Sequence, residues 1–282
     1  MQDAKVFFIT GASKGFGLEL TRQLLAAGHS VAATSRSKAG LIAAAGTPTP
    51  AFLPLEMDLT DESSIGQAVA EAIGAFGSLD VIINNAGYGQ LGGLEELSDT
   101  ETRKNYAVNV FGTQNVIRAV LPQLRAQGSG HIINISSIAG ITGGFPGWGV
   151  YCGTKFAVEG LSESLAAEVA EFGIKVTVVA PGYFRTEFLD NGSLGLPEHP
   201  ISAYVAIRES ESAHTSHLQG NQPGDPVKGA AAIIRIAGTE HPPLHLLLGP
   251  DAYAMAEKKL ADLKKEMEAW KELSLSTDLE TA

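Results

Sequence analysis

Cysteine is nearly absent from this chain of 282 residues. Cys152 stands alone, which excludes an intrachain disulfide and a cysteine metal cluster and suits a reducing cytosol. Runs of Lys and Arg are missing too, and the formal net charge is -11, so nothing offers the basic patch that holds a nucleic-acid backbone. No apolar stretch reaches the roughly 18 residues of a membrane span. The opening Met1-Gln-Asp-Ala-Lys-Val-Phe-Phe-Ile-Thr10 carries Asp3 and Lys5 ahead of four apolar residues, too little for a signal-peptide core. These absences lead to the expectation of a cytoplasmic protein with no nucleic-acid partner and no membrane span. His131, His214, His217, His241 and His245 show no ligand spacing, so they are read as structural and no metal is expected.

What is present is alternation. Apolar runs at Lys5 to Thr10, Ser30 to Thr34, Ala51 to Met57, Asp80 to Asn84, Gly130 to Ser136, Lys175 to Ala180 and Leu244 to Leu248 have the length of buried parallel strands. Helical periodicity separates them at Phe16 to Ala27, Asp61 to Phe76, Asp99 to Ala126, Val150 to Phe172 and Val227 to Ala237, with Pro122 expected to interrupt the third. Repeated βα units of this kind predict an α/β fold: a doubly wound parallel sheet of about seven strands with helices on both faces, in a single domain spanning 1–282. The stretch 183–226 is rich in Gly, Pro, Ser and His and is expected to be an irregular substrate lid. A charged amphipathic helix is expected over 251–273, packed on its own sheet or on a second subunit.

Three local patterns carry chemistry. Thr10-Gly11-Ala-Ser-Lys-Gly15-Phe-Gly17 falls where the first strand gives way to the first helix, a place where glycines let backbone N–H groups approach a pyrophosphate. The same letters spell G-x-S-x-G, which makes Ser13 a rival hydrolase nucleophile, although no partner histidine can be nominated. Tyr151 and Lys155 lie one helical turn apart, so the ammonium is expected to favour the phenolate and bring proton exchange toward neutral pH. Ser137 ends the strand Ile132-Ile-Asn-Ile-Ser-Ser137.

Together with Asn84-Asn85-Ala86-Gly87 and Pro181-Gly182, these motifs resemble the short-chain dehydrogenase/reductase family in order and spacing along most of the chain, with a likeness to its hydroxysteroid- and retinol-dehydrogenase branch. The resemblance implies that Tyr151 is the general acid and base, that Lys155 lowers its pKa and binds the nicotinamide ribose, that Ser137 binds the substrate oxygen, and that Asn109 supports the lysine. It implies a cofactor cradle of Gly11, Ser13, Lys14, Gly15, Phe16, Gly17, Arg36, Asp58, Leu59, Asn85, Ala86, Gly87, Pro181, Gly182 and Thr186, shared with Tyr151 and Lys155. It also implies a homodimer or homotetramer. Purely structural readings stand beside these: Asp58 as a helix cap, Asn84 and Asn85 as a strand end, Pro181-Gly182 as a turn, Lys14 and Arg36 as solvated charges. Ser137 lies 14 residues before Tyr151 where the family more often shows 13. Gly143-Gly144 is the expected site of the extra residue, and Ser136 is the fallback.

Cofactor choice has a physical argument of its own. A carboxylate at the end of the second strand would hold the ribose hydroxyl of NAD and repel a phosphate there. Ser35 and Arg36 occupy that place, with Lys14 in the glycine turn, so NADP(H) is expected over NAD(H). Tyr88, Gln90, Phe145, Trp148, Tyr183, Phe184 and Phe188 are expected to wall an apolar carbonyl or alcohol substrate. The expected activity is interconversion of a ketone or aldehyde and an alcohol; the alternative is an NADP(H)-sensing binding protein on the same fold.

Overall fold

In the computed structural model, which describes residues 4–190 and 192–279, the apolar runs pair into one parallel seven-stranded sheet. Residues Met1 to Asp3 of the amino-terminal reading lie outside the described residues. In chain order the elements are β1 (Val6–Ile9), α1 (Gly15–Ala26), β2 (Ser30–Ser35), α2 (Lys38–Ala45), β3 (Phe52–Glu56), α3 (Glu62–Phe76), β4 (Val81–Asn84), β5 (Gly89–Gln90) and α4 (Asp99–Tyr106). There follow α5 (Thr113–Gln127), β6 (Gly130–Ile135), α6 (Gly149–Val169), β7 (Ile174–Pro181), β8 (Leu194–Gly195), α7 (Val205–Ser212), α8 (Pro226–Ala237), β9 (His245–Leu248), α9 (Pro250–Ala269) and α10 (Lys271–Leu275). The large sheet runs β3-β2-β1-β4-β6-β7-β9, and β5 pairs with β8 beside it.

Alternation along each strand feeds two cores. Phe8, Ala32 and Ile82 face α3, α5 and α6 through Ile65, Val116 and Leu165. Their neighbours Phe7, Ile9, Val31 and Ile83 face α1, α2 and α8 through Leu20, Leu41 and Ile233. Because β4 returns to the far side of β1, the strand order reverses there, and the diverging crossovers open a crevice at the carboxyl ends of the strands. A polar chain crosses the first core: Asn84 Nδ2 donates to Asn134 Oδ1 at 2.8 Å, Asn134 Nδ2 to Ser162 Oγ at 2.9 Å, and Ser162 Oγ to the Val158 carbonyl at 2.6 Å.

Three expectations need correction. Pro122 sits inside α5 and does not break it. It and Arg118 are exposed, so water can take the carbonyl that loses its amide partner. The long helical stretch is divided instead at Ala107–Gly112, a wide turn of i→i+5 bonding that carries Asn109. The stretch 183–226 is less irregular than its composition suggests, holding β8, α7 and a second wide turn at Ala213–Leu218. Glu96 ties α7 down: its side chain is fully buried, takes the Gly93 and Ile201 amides at 2.7 Å each, and pairs with Arg208 at 2.8 Å. These bonds hold the Glu96 carboxyl below the usual range, although burial opposes them.

Candidate active site

The crevice is a cavity of about 950 Å3 that runs from the glycine turn to an aromatic wall, with residues 183–226 bordering it along its length. Of the residues expected to act there, Gly17 and Asn109 alone do not line it, and both lie directly behind its wall.

At the glycine end the wall is backbone. Gly11 and Gly15 have φ of 68° and 55°, the left-handed region open to glycine. A Cβ on Gly11 would stand 2.8 Å from the Ala86 Cα, and one on Gly17 would stand 2.4 Å from the Gly11 carbonyl and 2.6 Å from Asn85 Nδ2. Thr10 explains how the turn meets β4. Its hydroxyl accepts the Asn85 and Ala86 amides at 3.0 Å each, while Asn85 Nδ2 donates back to the Thr10 and Gly11 carbonyls. The first turn of α1 has no side-chain cap, so its N–H groups are left for an anion. Glu187 supplies one: its carboxylate accepts from the Gly15 amide at 3.1 Å, in the manner of a phosphate oxygen. Ser13, Lys14 and Phe16 line the same end, with the Phe16 ring 5.0 Å from that of Phe184.

Farther along the edge, Arg36 is exposed beside Asp58. The Asp58 carboxylate accepts the Thr60 amide and hydroxyl at 2.8 and 2.7 Å, which together with Arg36 hold it below its ordinary pKa. The cap of α3 is Asp61, so the capping reading of Asp58 fails. Leu59 lines the cavity and presses on Gly112, where a Cβ would meet it at 2.8 Å. At the end of β7, a Cβ on Gly182 would lie 2.2 Å from the Asp251 carboxylate, which accepts the Tyr183 amide at 2.7 Å; Pro181-Gly182 is thus a strand end in close approach to Asp251, not a turn. Thr186 lies over Gly15, 3.5 Å from where its Cβ would be.

The helix α6 brings Tyr151 and Lys155 to the centre, both buried. Lys155 Nζ lies 5.8 Å from the centroid of the Tyr151 ring and donates to the Ile135 carbonyl at 2.9 Å. Burial lowers Lys155 to about 8, with Glu159 opposing. Burial also pushes the Tyr151 phenol up, aided by Cys152 and Tyr183, against the pull of the Ser137 hydroxyl. The sequence expectation that the ammonium would draw the phenol toward neutrality is therefore not met. Desolvation outweighs the pull of Ser137, and Lys155 is not among the groups that lower the phenol.

Ser137 caps the short turn Ile138–Gly140 and lines the cavity beside Tyr151. The hydroxyl of Ser136, the fallback, donates to the Lys155 carbonyl at 3.3 Å. A Cβ on Gly144 would meet nothing within 4 Å, so the loop before Tyr151 has room for the extra residue. Asn109 works as a clasp. It accepts the Tyr88 amide at 3.0 Å and donates to the Tyr88 carbonyl at 2.9 Å and to Thr154 Oγ1 at 3.1 Å, joining β4's exit to α6 one residue before Lys155. Gly87 lies between Asn109 and Lys155; a Cβ there would be 3.1 and 3.7 Å from their polar atoms.

The far wall has Tyr88, Gln90, Phe145, Trp148, Tyr183 and Phe188, as expected, whereas Phe184 leans on Phe16 at the glycine end. Sequence reasoning sets His214 aside, yet it lines the cavity, 4.8 Å from the Trp148 ring. Its Nδ1 is 2.7 Å from the Ser210 carbonyl, which can only accept, so Nδ1 carries the proton. Nε2 is then an acceptor for the Tyr183 hydroxyl at 3.0 Å, which leaves the Tyr183 oxygen able only to accept. Burial lowers the His214 pKa and keeps this tautomer neutral. No other described residue lining the cavity is a histidine, and His214 is held by Tyr183 and Ser210 rather than by Ser13. Among the described residues no group of three His, Cys, Asp or Glu could hold a metal ion, and no helix is long and apolar enough to cross a membrane.

Comparison with known proteins agrees with this geometry. A family model described as short chain dehydrogenase matches residues 5–194. A 3-ketodihydrosphingosine reductase from Bacteroides thetaiotaomicron is 38% identical over 270 residues, covering 93% of this chain and 94% of its own length. The crystal structure of a short-chain dehydrogenase from Streptomyces avermitilis is 39% identical and superposes with a TM-score of 0.88 over 98% of this chain and 100% of that one. A short chain dehydrogenase from Burkholderia cenocepacia in complex with NADP is 27% identical with a TM-score of 0.73, over 95% and 98% of the two chains. The chain belongs to the short-chain dehydrogenase/reductase family and is an oxidoreductase on a nicotinamide-binding fold.

Proposed function

We propose that the protein is an NADP(H)-dependent oxidoreductase that interconverts an apolar ketone or aldehyde and its alcohol, working in the cytoplasm. The observation that carries this reading is a buried Tyr151 beside Ser137 at the centre of the cavity, between an aromatic wall and a helix N-terminus without a side-chain cap of its own. The glycine turn fits a pyrophosphate, since a carboxylate already occupies its amide. When bound, the cofactor supplies or removes the hydride.

The chain's own part is binding and proton movement. Gly11, Ser13, Lys14, Gly15, Phe16 and Gly17 hold the pyrophosphate end, and Asp58, Leu59, Asn85, Ala86 and Gly87 the adenosine side. Lys14 and Arg36 favour a 2′-phosphate, because β2 ends in Ser35 with no carboxylate to repel it. Pro181, Gly182 and Thr186 border the nicotinamide end. In reduction the Tyr151 O–H donates to the carbonyl oxygen while the Ser137 hydroxyl hydrogen-bonds the same oxygen as charge develops there. Lys155, held by Ile135 and by the Asn109 clasp through Thr154, supplies a positive charge beside the phenolate that remains. Residues 183–226 act as the lid, closing an aromatic wall over the substrate. The assay is NADPH oxidation over a panel of aromatic and cyclic ketones, beside Tyr151→Phe. Turnover lost in that variant with NADPH binding retained is expected; equal turnover would sink the mechanism, and cofactor binding with no turnover of any compound by the wild type would favour a sensor.

A further inference from the structure

The helix α9 begins on the body and leaves it. Ala252, Met255 and Ala256 pack on Ile138, Ile141 and Leu247, but every residue from Leu260 to Leu279 is exposed. A free-standing helix of this length is marginal in water by its own propensity. Yet its exposed large apolar residues, Tyr253, Leu260, Leu263, Met267 and Trp270, fall in one seam that runs through the buried Ala256, with spacings of three, four, three, four and three. That is the a/d repeat of a coiled coil, narrower than the stripe that packs a helix on a globular core. Leu260, Met267 and Trp270 are each 64% exposed, and among the described residues the seam is covered only at Ala256, by the body itself.

The charges flanking the seam say what covers it. With Tyr253, Leu260 and Met267 at a, the e positions are Glu257, Lys264 and Lys271, and the g positions include Lys259 and Glu266. A parallel copy would set Lys259 against Lys264 of the second chain, twice over by symmetry, and its one attractive pairing, Glu266 with Lys271, only offsets that repulsion. An antiparallel copy with Leu260 packed on Leu263 of the second chain brings Glu257 to Lys264 and Lys259 to Glu266. Each pair again occurs twice, and all four are attractive. In the same register Trp270 comes opposite the exposed Tyr253 where the helix meets the body, while Ala256, buried against that body, leaves Met267 at the edge of the coil. The outward face carries Lys258, Asp262, Lys265 and Glu268, both signs mixed, unlike the basic face of a helix that lies on a membrane.

We infer that the α9 seam is a docking surface for a second copy of this chain, joined as an antiparallel two-helix coil with Leu260 on Leu263 at its centre. The apolar seam supplies the association and the flanking charges choose its direction. This surface is separate from the cavity and does not depend on the chemistry proposed above.

Sedimentation equilibrium of the full chain tests it, with circular dichroism and NADPH binding as checks that the body is intact. All the altered positions are exposed, so the fold should stand. The wild type should associate, and Leu263→Asp should halve the number of chains per particle. Glu257→Lys should loosen the pair by placing Lys on Lys at two points, and Glu257→Lys combined with Lys264→Glu should restore it. Lys264→Glu alone is the sharpest arm: it weakens an antiparallel pair by setting the new carboxylate against Glu257, but strengthens a parallel one by setting it against Lys259. A monomeric wild type, a particle mass indifferent to Leu263→Asp, or tighter association in Lys264→Glu would each overturn the proposal.

Discussion

At the glycine turn, the cavity is shaped by main chain packed so closely that two glycines would each bring a Cβ within 3 Å of a neighbouring backbone atom: Gly11 on Ala86 and Gly17 on the Gly11 carbonyl. At the opposite end, the wall is made of side chains: Tyr88, Gln90, Phe145 and Trp148 from the body, and Tyr183, Phe188 and His214 from 183–226, a segment tied down by contacts such as Glu96 with Arg208. Backbone can recognise what every cofactor of a class shares, namely a pyrophosphate, whereas side chains can be exchanged one at a time. The first end is therefore intolerant and general, and the second tolerant and particular, with α6 presenting Tyr151 and Lys155 to both.

The largest expected effect separates chemistry from binding at that junction. Tyr151→Phe should lower kcat by about 10^3-fold, within the range of a lost general acid, while leaving the NADPH Kd unchanged within about twofold. Comparable loss in both would mean that the two ends are not independent. Next comes the intolerant end: Gly17→Ala, whose Cβ must meet a carbonyl at 2.4 Å, should weaken NADPH by about 100-fold, as expected for overpacking that costs about 3 kcal/mol. Calorimetric titration measures this, and near-normal binding would show that the turn yields. Arg36→Asp should shift the NADPH to NADH preference in kcat/KM by at least about tenfold toward NADH, the value of one charge-assisted hydrogen bond; an unchanged ratio would make Arg36 a bystander.

The pH dependence of reduction should follow Lys155. Its pKa is lowered to about 8, so it is charged below that pH and neutral above it. The Tyr151 phenol is raised and keeps its proton throughout this window. Reductive kcat/KM should accordingly fall as pH rises through about 8, and Lys155→Arg, charged at all these pH values, should flatten that limb whatever its absolute rate. The smallest effect belongs to the tolerant end. Tyr183→Phe removes an acceptor from the substrate wall and should raise KM by about fivefold for ketones that also bear a hydroxyl, with kcat and the KM of unsubstituted ketones little changed, in line with the loss of one neutral hydrogen bond.

The same contrast explains what could be read from sequence. All seven strands of the large sheet were legible because strands covered on both faces are continuous apolar runs. That the glycine turn and the Tyr151–Lys155 pair line the cavity was legible because each pattern spans a few residues of one element, and Ser137 through its likeness to the family pattern. Pro122 misled because a helix break depends on whether water reaches the freed carbonyl, and exposure is a property of the fold. His214 and Glu187 were missed for a related reason: their partners, Tyr183 and Gly15, are 31 and 172 residues away, and no local pattern marks them. The wide turn at Asn109 was hidden within an otherwise helical periodicity.

The chain of Asn84, Asn134 and Ser162 bears on how α6 finds its place. A helix lying on an apolar sheet can slide by one turn, about 5.4 Å, and still bury much the same area. Such a slide would pull Ser162 from Asn134 and strand hydrogen-bonding groups in a dry core, which costs more than the apolar contacts can return. The hydroxyl and amides thus act as a detent, a stop that fixes the helix at one depth. Tyr151, eleven residues back along the same helix, inherits that depth, so the reach of its phenol into the cavity is set by polar atoms that never touch a substrate.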